Sequence, residues 1–163
     1  MAVYFPTVAT PPLAESRAQL RHQLDLLADF WNACSEQELS TRPGPGRWSR
    51  REILGHLIDS ALNNHRRIVV ASLAPPPHRL RPYDQEAWVR VADYQHYPCA
   101  DLLTLWTSLN TLMLHLLDRL PPHLLEAQYL TLNGNPTTLH WLISDYALHL
   151  EHHVRQIIHG ETI

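Results

Sequence analysis

Cysteine is scarce in this chain, and its scarcity is informative. Cys34 and Cys99 are the only two. They lie far apart in sequence, so they make neither a zinc ribbon nor a disulfide framework. A reducing cytoplasm is the expected location. Positive charge is also short: Lys and Arg total 13 against 16 Asp and Glu, for a formal net charge of −3. No basic face is implied, and nucleic acid is not an expected partner. No run approaches the roughly 18 apolar residues of a membrane-spanning helix, so no membrane partner is expected. The N-terminal stretch MAVYFPTVATPP has neither a basic start nor a long apolar core, and it does not read as a signal peptide. Sustained alternation of apolar and polar residues is missing, which argues against a large sheet. No Ser or Cys sits in a recognisable nucleophile elbow or oxyanion motif.

What the chain does have is histidine, twelve in 163 residues. Its 45% apolar content is ordinary for a globular protein. The length suits one domain with a sizeable core, here expected over residues 1–163.

Four helices are expected. After an extended lead-in over 1–12, helix one starts near Leu13. It carries a buried stripe of Leu20, Leu24, Leu27, Trp31 and Cys34. It is expected to end near Leu39, before the breaker Arg42-Pro-Gly-Pro-Gly46. Helix two opens at Ser49, which with Glu52 forms a capping box. Trp48 stands one residue earlier as a staple. The helix runs to about Leu73, where prolines 75–77 stop it. Besides an apolar face it carries a polar stripe of Glu52, His56, Asp59 and Asn63.

Residues 74–99 form a long connection, with a short helix expected within 83–91. A connection this long is usually functional or topological, and it can traverse a bundle so that helices two and three run parallel. Helix three spans about Ala100 to Leu120 and is the most apolar. A loop follows, with an extended piece at 129–132 and a turn at Asn133-Gly134. Asn135 as N-cap and Pro136 at the first helical position then open helix four. The fold class is all-α, a four-helix bundle with a long crossover between helices two and three.

Helix four carries the chemistry. Its apolar residues Leu139, Leu142, Ile143, Tyr146, Ala147, Leu150, Val154 and Ile157 recur with a helical period. His149 and His153 are one turn apart on one face, about 5–6 Å between Cβ atoms. On a helical wheel His153 falls on the apolar face, His149 at its edge and His152 toward solvent. The zinc-protease motif needs Glu directly after the first His; Leu150 stands there instead, and Glu151 points away. Two imidazoles at this spacing can share a metal ion, but stable sites take three or four protein ligands. The third has to come from another helix. His56 and His65, both on helix two, are the candidates, and the wheel does not choose between them.

Trp48-Ser49-x-x-Glu52-Ile-Leu-Gly-His56-Leu-Ile-Asp59, followed by His149-x-x-x-His153-x-x-Gln156-Ile157, resembles the DinB/YfiT-like family of metalloenzymes. The resemblance covers helices two to four and fits helix one. It implies an up-down-down-up bundle that holds a divalent metal with three histidines, placed here at His56, His149 and His153. It also implies that the polar stripe of helix two faces a cleft. Family members are often dimers, and a homodimer is expected. Some are thiol-dependent S-transferases; others resemble hydrolases or isomerases.

Three neutral imidazoles leave coordination positions open on a divalent ion, which then activates water or a thiol. Zinc or nickel suits such ligands best, with iron, copper or manganese also compatible. Asp59, one turn beyond His56, is a candidate second-shell partner or base. Tyr83 and Trp88 on the connection are candidate cleft walls in contact with substrate. Glu52 is a cap rather than a catalyst. The expected function is a metal-dependent S-transferase or hydrolase acting on a small molecule, with a low-molecular-weight thiol as possible partner. The alternatives are a non-catalytic metal-binding or stress-response module with a structural ion, and a plain helical bundle with no metal.

Overall fold

The computed structural model describes residues 10–131 and 133–160. Most of the expected lead-in, and Leu132 of the expected extended piece, lie outside the described residues.

α1 (Leu13–Ala33) buries Leu20, Leu24, Leu27 and Trp31. It stops earlier than its apolar stripe suggests. Ser35 caps a new short helix, α2 (Glu36–Ser40), through a reciprocal box with Glu38, and the chain changes axis there. Leu39 is buried from α2, not from a longer α1. The same S-x-x-E box, Ser49 with Glu52, opens α3 (Arg50–Leu73) as expected. Glu52 also takes Arg42 in a two-pronged contact, Nε at 2.8 Å and Nη2 at 2.5 Å. Its carboxyl is thus fully engaged in structure. Burial alone would raise its pKa, but Arg42 and the Ser49 amide hold it below the usual value.

The connection after α3 carries β1 (His78–Arg79), α4 (Gln85–Ala92) and a 3-10 turn at Tyr94–His96. Asp84 caps α4 by accepting from the Ala87 amide at 3.0 Å. α5 (Cys99–Asp118) follows. β1 pairs in parallel with β2 (Gln128–Leu130), which pairs antiparallel with β3 (Pro136–Thr138). The sheet is a clip of two- and three-residue strands, not a layer. Gly134, at φ +78°, turns the β2–β3 hairpin. The expected start of the last helix is corrected here. Pro136 lies in β3, and α6 (Leu139–His159) is capped by Thr138, whose side chain accepts from the Trp141 amide. Strand pairing takes the three residues that the Asn-Pro signal assigned to helix.

Side-chain contacts fix the helix directions. Arg17 and Arg21 reach Asp118 while Trp31 Nε1 donates to the Cys99 carbonyl, so α1 and α5 are antiparallel. Ser16 meets Ser144 and Gln19 meets Glu151, so α1 and α6 are parallel. Arg50 donates to the Ile157 carbonyl at 2.7 Å and His56 meets His149 at 3.2 Å, so α3 and α6 are antiparallel. The four long helices therefore run up, down, down, up. The 74–98 crossover is what allows α3 and α5 to be parallel. Buried Leu54, Leu57, Ile58, Leu102, Trp106, Met113, Ile143 and Leu150 form the shared core.

Candidate metal centre

α3 and α6 bring three imidazoles to one point. His56 comes from α3, His149 and His153 from α6, and one ring nitrogen of each lies within 4.8 Å of the others. The His56 and His149 Nε2 atoms are 3.2 Å apart. Two nitrogens bound tetrahedrally at about 2.0–2.1 Å to one ion sit about 3.3 Å apart, so the spacing fits a shared ion. The rings are mutually tilted, with centroids 4.6–5.2 Å apart. They therefore converge by edges, not by stacking.

The local sequence explains the convergence. His149 and His153 are successive turns of a helix whose core side is closed by Tyr146, Ala147, Leu150 and Val154. His56 is 1% exposed, and Trp48 lies tilted on its ring at 5.4 Å. The residue expected as a helix staple thus also walls the cluster.

The charge state suits ligation. Burial holds the His56 pKa down at about 3, helped by His153. Burial likewise lowers His153 to about 4, against the Gln156 bond that raises it. His149 is pushed well below its ordinary value by burial, then by the other two histidines. All three rings are neutral at pH 7 and keep a lone pair for a cation. Outer partners orient two of them. Gln156 Oε1 lies 2.8 Å from His153 Nδ1, which makes Nδ1 the protonated nitrogen and leaves Nε2 as the donor atom. Ser60 Oγ lies 3.5 Å from His149 Nδ1. His56 Nδ1 is buried without a hydrogen-bond partner among the described residues.

The other sequence candidates are placed differently. His65 is half-buried and joins no such cluster among the described residues. His152 is half-buried, not solvent-facing, because its ring packs edge-on against His153 at 4.9 Å. Asp59 is 4% exposed. Its Oδ1 accepts from the Tyr94 hydroxyl at 2.7 Å, while Oδ2 is buried without a partner. Burial raises its pKa although the Tyr94 bond opposes the rise. The carboxyl is thus held by Tyr94, not by a histidine of the cluster. Tyr83 is half-buried, and its ring lies tilted at 4.8 Å from that of Trp88, which is 42% exposed. Burial, then Asp59, pushes the Tyr83 phenol up to about 12.

Sequence reasoning missed Tyr94 and Ser60. Ser60 lies one turn after His56, and that spacing could have flagged it. Tyr94 depends on where the connection passes, and it carries no such signal. A cavity of about 290 Å³ lined by residues including Arg47, Trp48, Arg50 and Gln156 touches the shell through Trp48 and Gln156. None of the three histidines lines it, so it borders the centre from outside. No helix among the described residues is long and apolar enough to cross a membrane.

Comparison with known proteins gives the same frame. A family model for the DinB superfamily matches residues 19–157. A Bacillus mycoides protein provisionally named a metal-dependent hydrolase is 30% identical over 122 residues, covering 75% of this chain and 69% of the relative. A similarly named protein of Oceanobacillus iheyensis is 24% identical over 139 residues, covering 85% and 79%. Among solved structures, YfiT from Bacillus subtilis, described as a probable metal-dependent hydrolase with an unusual four-helix bundle topology, superposes with a TM-score of 0.82. Its identity is 22%, with 96% of this chain and 90% of that one covered. A mycothiol-dependent maleylpyruvate isomerase superposes at 0.66 and 15% identity, covering 86% of this chain and 60% of that one. At these identities the two structures speak for the fold alone.

Proposed function

The chain belongs to the DinB superfamily, and from that premise we propose that it is a metal-dependent enzyme whose divalent ion is held by His56, His149 and His153. The observation that carries this reading is the convergence of three ring nitrogens within 4.8 Å, one from a buried histidine of α3 and two from half-buried histidines of α6. When bound, such an ion is a Lewis acid that lowers the pKa of water toward about 7 or takes a thiol as thiolate. The reaction is of the S-transferase or hydrolase type on a small molecule. Its nucleophile is a low-molecular-weight thiol or water. The relatives named as metal-dependent hydrolases support the metal-dependent part of this reading.

The chain's own residues do the rest. Burial keeps the imidazoles neutral and available. Gln156 fixes Nε2 as the nitrogen that His153 presents, and Ser60 lies beside Nδ1 of His149. Tyr94 holds one oxygen of Asp59, and the other, buried without a partner, is the atom that would serve as base. Tyr83, backed by Trp88, walls the approach from the connection. Zinc and nickel suit an all-imidazole set best. Leu105 and Leu112, both over 40% exposed on an outer face of α5, supply an apolar surface for a homodimer.

The test is elemental analysis of protein purified without a His tag, for wild type and His56→Ala, with helicity checked by circular dichroism. About one divalent ion per wild-type chain, lost in a folded His56→Ala variant, is the expected result. No metal in the wild type after reconstitution with zinc and nickel overturns the reading. A bound ion with a closed shell, and a large stability loss on chelation, would point to a structural metal.

A further inference from the structure

The cavity of about 290 Å³ lies at the end of the bundle where α3 begins and α6 stops. Ligand pockets run from about 300 to 1,000 Å³, so this one suits a small molecule. One wall is the 41–48 loop, the floor is the first turn of α3, and the far wall is the end of α6. The loop is held at both ends. At its start Arg42 donates to Glu52 at 2.8 Å, and the Ser40 carbonyl accepts from Gln95 Nε2 at 2.8 Å. At its end Ser49 caps α3, after the Arg47 amide has closed a turn onto the Gly44 carbonyl at 3.2 Å. The wall is therefore preformed, and little ordering is left for binding to supply.

The lining holds two cations, Arg47 and Arg50, against one acid, Glu38. Arg50 is fixed in place: Nε donates to the Ile157 carbonyl at 2.7 Å, Nη1 donates to the Glu38 carbonyl at 3.1 Å, and the guanidinium stands 5.5 Å from the Phe30 ring. Its Nη2 has no acceptor among the described residues. Arg47 is half-buried, and its guanidinium makes no hydrogen bond or ion pair among them. Glu38 is exposed, and its Oε2 is taken by the Ser35 amide and hydroxyl at 2.8 and 2.7 Å. Two carbonyls at the end of α6 are also taken, Ile157 by Arg50 and Gln156 by the Gly160 amide at 3.0 Å. Beside the cations stand the apolar side chains of Pro43, Trp48 and Ile53.

Trp48 sets the relation to the histidine cluster. Its ring lies 5.4 Å from that of His56, yet no histidine lines the cavity. Gln156 also lines it while its Oε1 holds His153 at 2.8 Å. A molecule in the cavity is thus one side chain away from the three histidines without touching them.

We propose that this cavity is a binding site for a small aryl carboxylate, beside the histidine cluster and not on it. Arg47 takes the carboxylate in its planar fork, with Nη2 of Arg50 next to it. The ring lies against Trp48, and Pro43 and Ile53 close the apolar side. A bare anion would leave that side wet, and a neutral ring would leave Arg47 without a partner. The site does not depend on the metal reading.

The test is calorimetric titration of benzoate, benzamide and inorganic phosphate into zinc-loaded wild type, repeated on chelator-treated protein. Benzoate should bind at least about tenfold tighter than either other probe, with or without zinc. Arg47→Met, checked for helicity by circular dichroism, should weaken benzoate about tenfold or more and leave benzamide unchanged. Its zinc content should match wild type. No benzoate binding at millimolar concentration, or benzoate no tighter than benzamide, overturns the site. Phosphate as tight as benzoate also overturns it, because the apolar wall would then contribute nothing. Benzoate binding that ignores Arg47→Met overturns it too; a carboxylate seated on the metal would behave so and be lost with the chelator. The wild-type ranking decides even where the variant does not fold. If wild type holds no zinc, the metal reading fails on its own and the chelator-treated titrations still decide this site.

Discussion

The ring of Tyr94 occupies the space where a side chain at Gly55 would begin. A Cβ built on Gly55 would come 2.1 Å from Tyr94 Cδ2 and 2.2 Å from Cγ. The connection can lie directly on α3 only because position 55 has no side chain. That contact delivers the Tyr94 hydroxyl to Asp59, one turn along the same helix.

Gly55→Ala is therefore expected to push Tyr94 off the helix. Alanine is the better helix former by about 1 kcal/mol, so a stability gain would result if the ring could move freely. Overpacking of about 1–3 kcal/mol should win instead, because the ring's own Cβ is also within 2.7 Å. A urea midpoint that rises in Gly55→Ala would contradict this packing.

Tyr94→Phe should leave Asp59 buried with neither oxygen paired. An unpaired buried polar group costs about 1–3 kcal/mol. Asp59→Asn in the same background should recover part of the loss, since the amide carries no charge to desolvate. The double-mutant cycle reads the coupling directly. Additive losses would mean that the hydroxyl and the carboxyl do not act as a pair.

The metal-free protein should weaken on acidification. Unfolded histidine titrates near 6.5, while His56 and His153 in the fold are held at about 3 and about 4. Between those values the unfolded chain binds protons that the folded chain refuses, so stability rises with pH across that window and is flat above it. From pH 7 to pH 5 each such histidine subtracts about 2 kcal/mol. Urea midpoints of chelator-treated protein at the two pH values check this, and His56→Leu should shallow the dependence. An unchanged wild-type midpoint would show that the rings protonate without unfolding.

How much of this was legible in the sequence depends on how local each cause is. The Ser49–Glu52 box is contained in four residues, and it appears where the pattern puts it. Ser35–Glu38 is the same pattern, hidden because Leu39 continues the apolar period of α1 across the break. Asn135-Pro136 is a sound helix start by local rules, but pairing with β2 is not local and overrides it. The His149–His153 pair is legible from spacing alone. His56 stands beside it by resemblance, since the α3 wheel puts His65 nearer the apolar side and His56 in the polar stripe without deciding which faces the pair. Tyr94 enters through the crossover, which no single helix encodes.

Gln156 should matter more to metal affinity than Ser60. Gln156 Oε1 is 2.8 Å from His153 Nδ1 and fixes the tautomer that points Nε2 at the cluster. Ser60 Oγ is 3.5 Å from His149 Nδ1 and is also approached by Asn64 Nδ2 at 3.4 Å, so its hold on the ring is weaker. Gln156→Leu lets His153 rotate or change tautomer, and zinc affinity should fall by about 10- to 100-fold. Gln156→Glu keeps an acceptor at the same place and should retain affinity. Ser60→Ala should cost less than Gln156→Leu. Competition with a chromophoric chelator measures all three. If Ser60→Ala is the more damaging change, His149 and not His153 is the ligand whose orientation limits binding, and the ring assignments on α6 need to be exchanged.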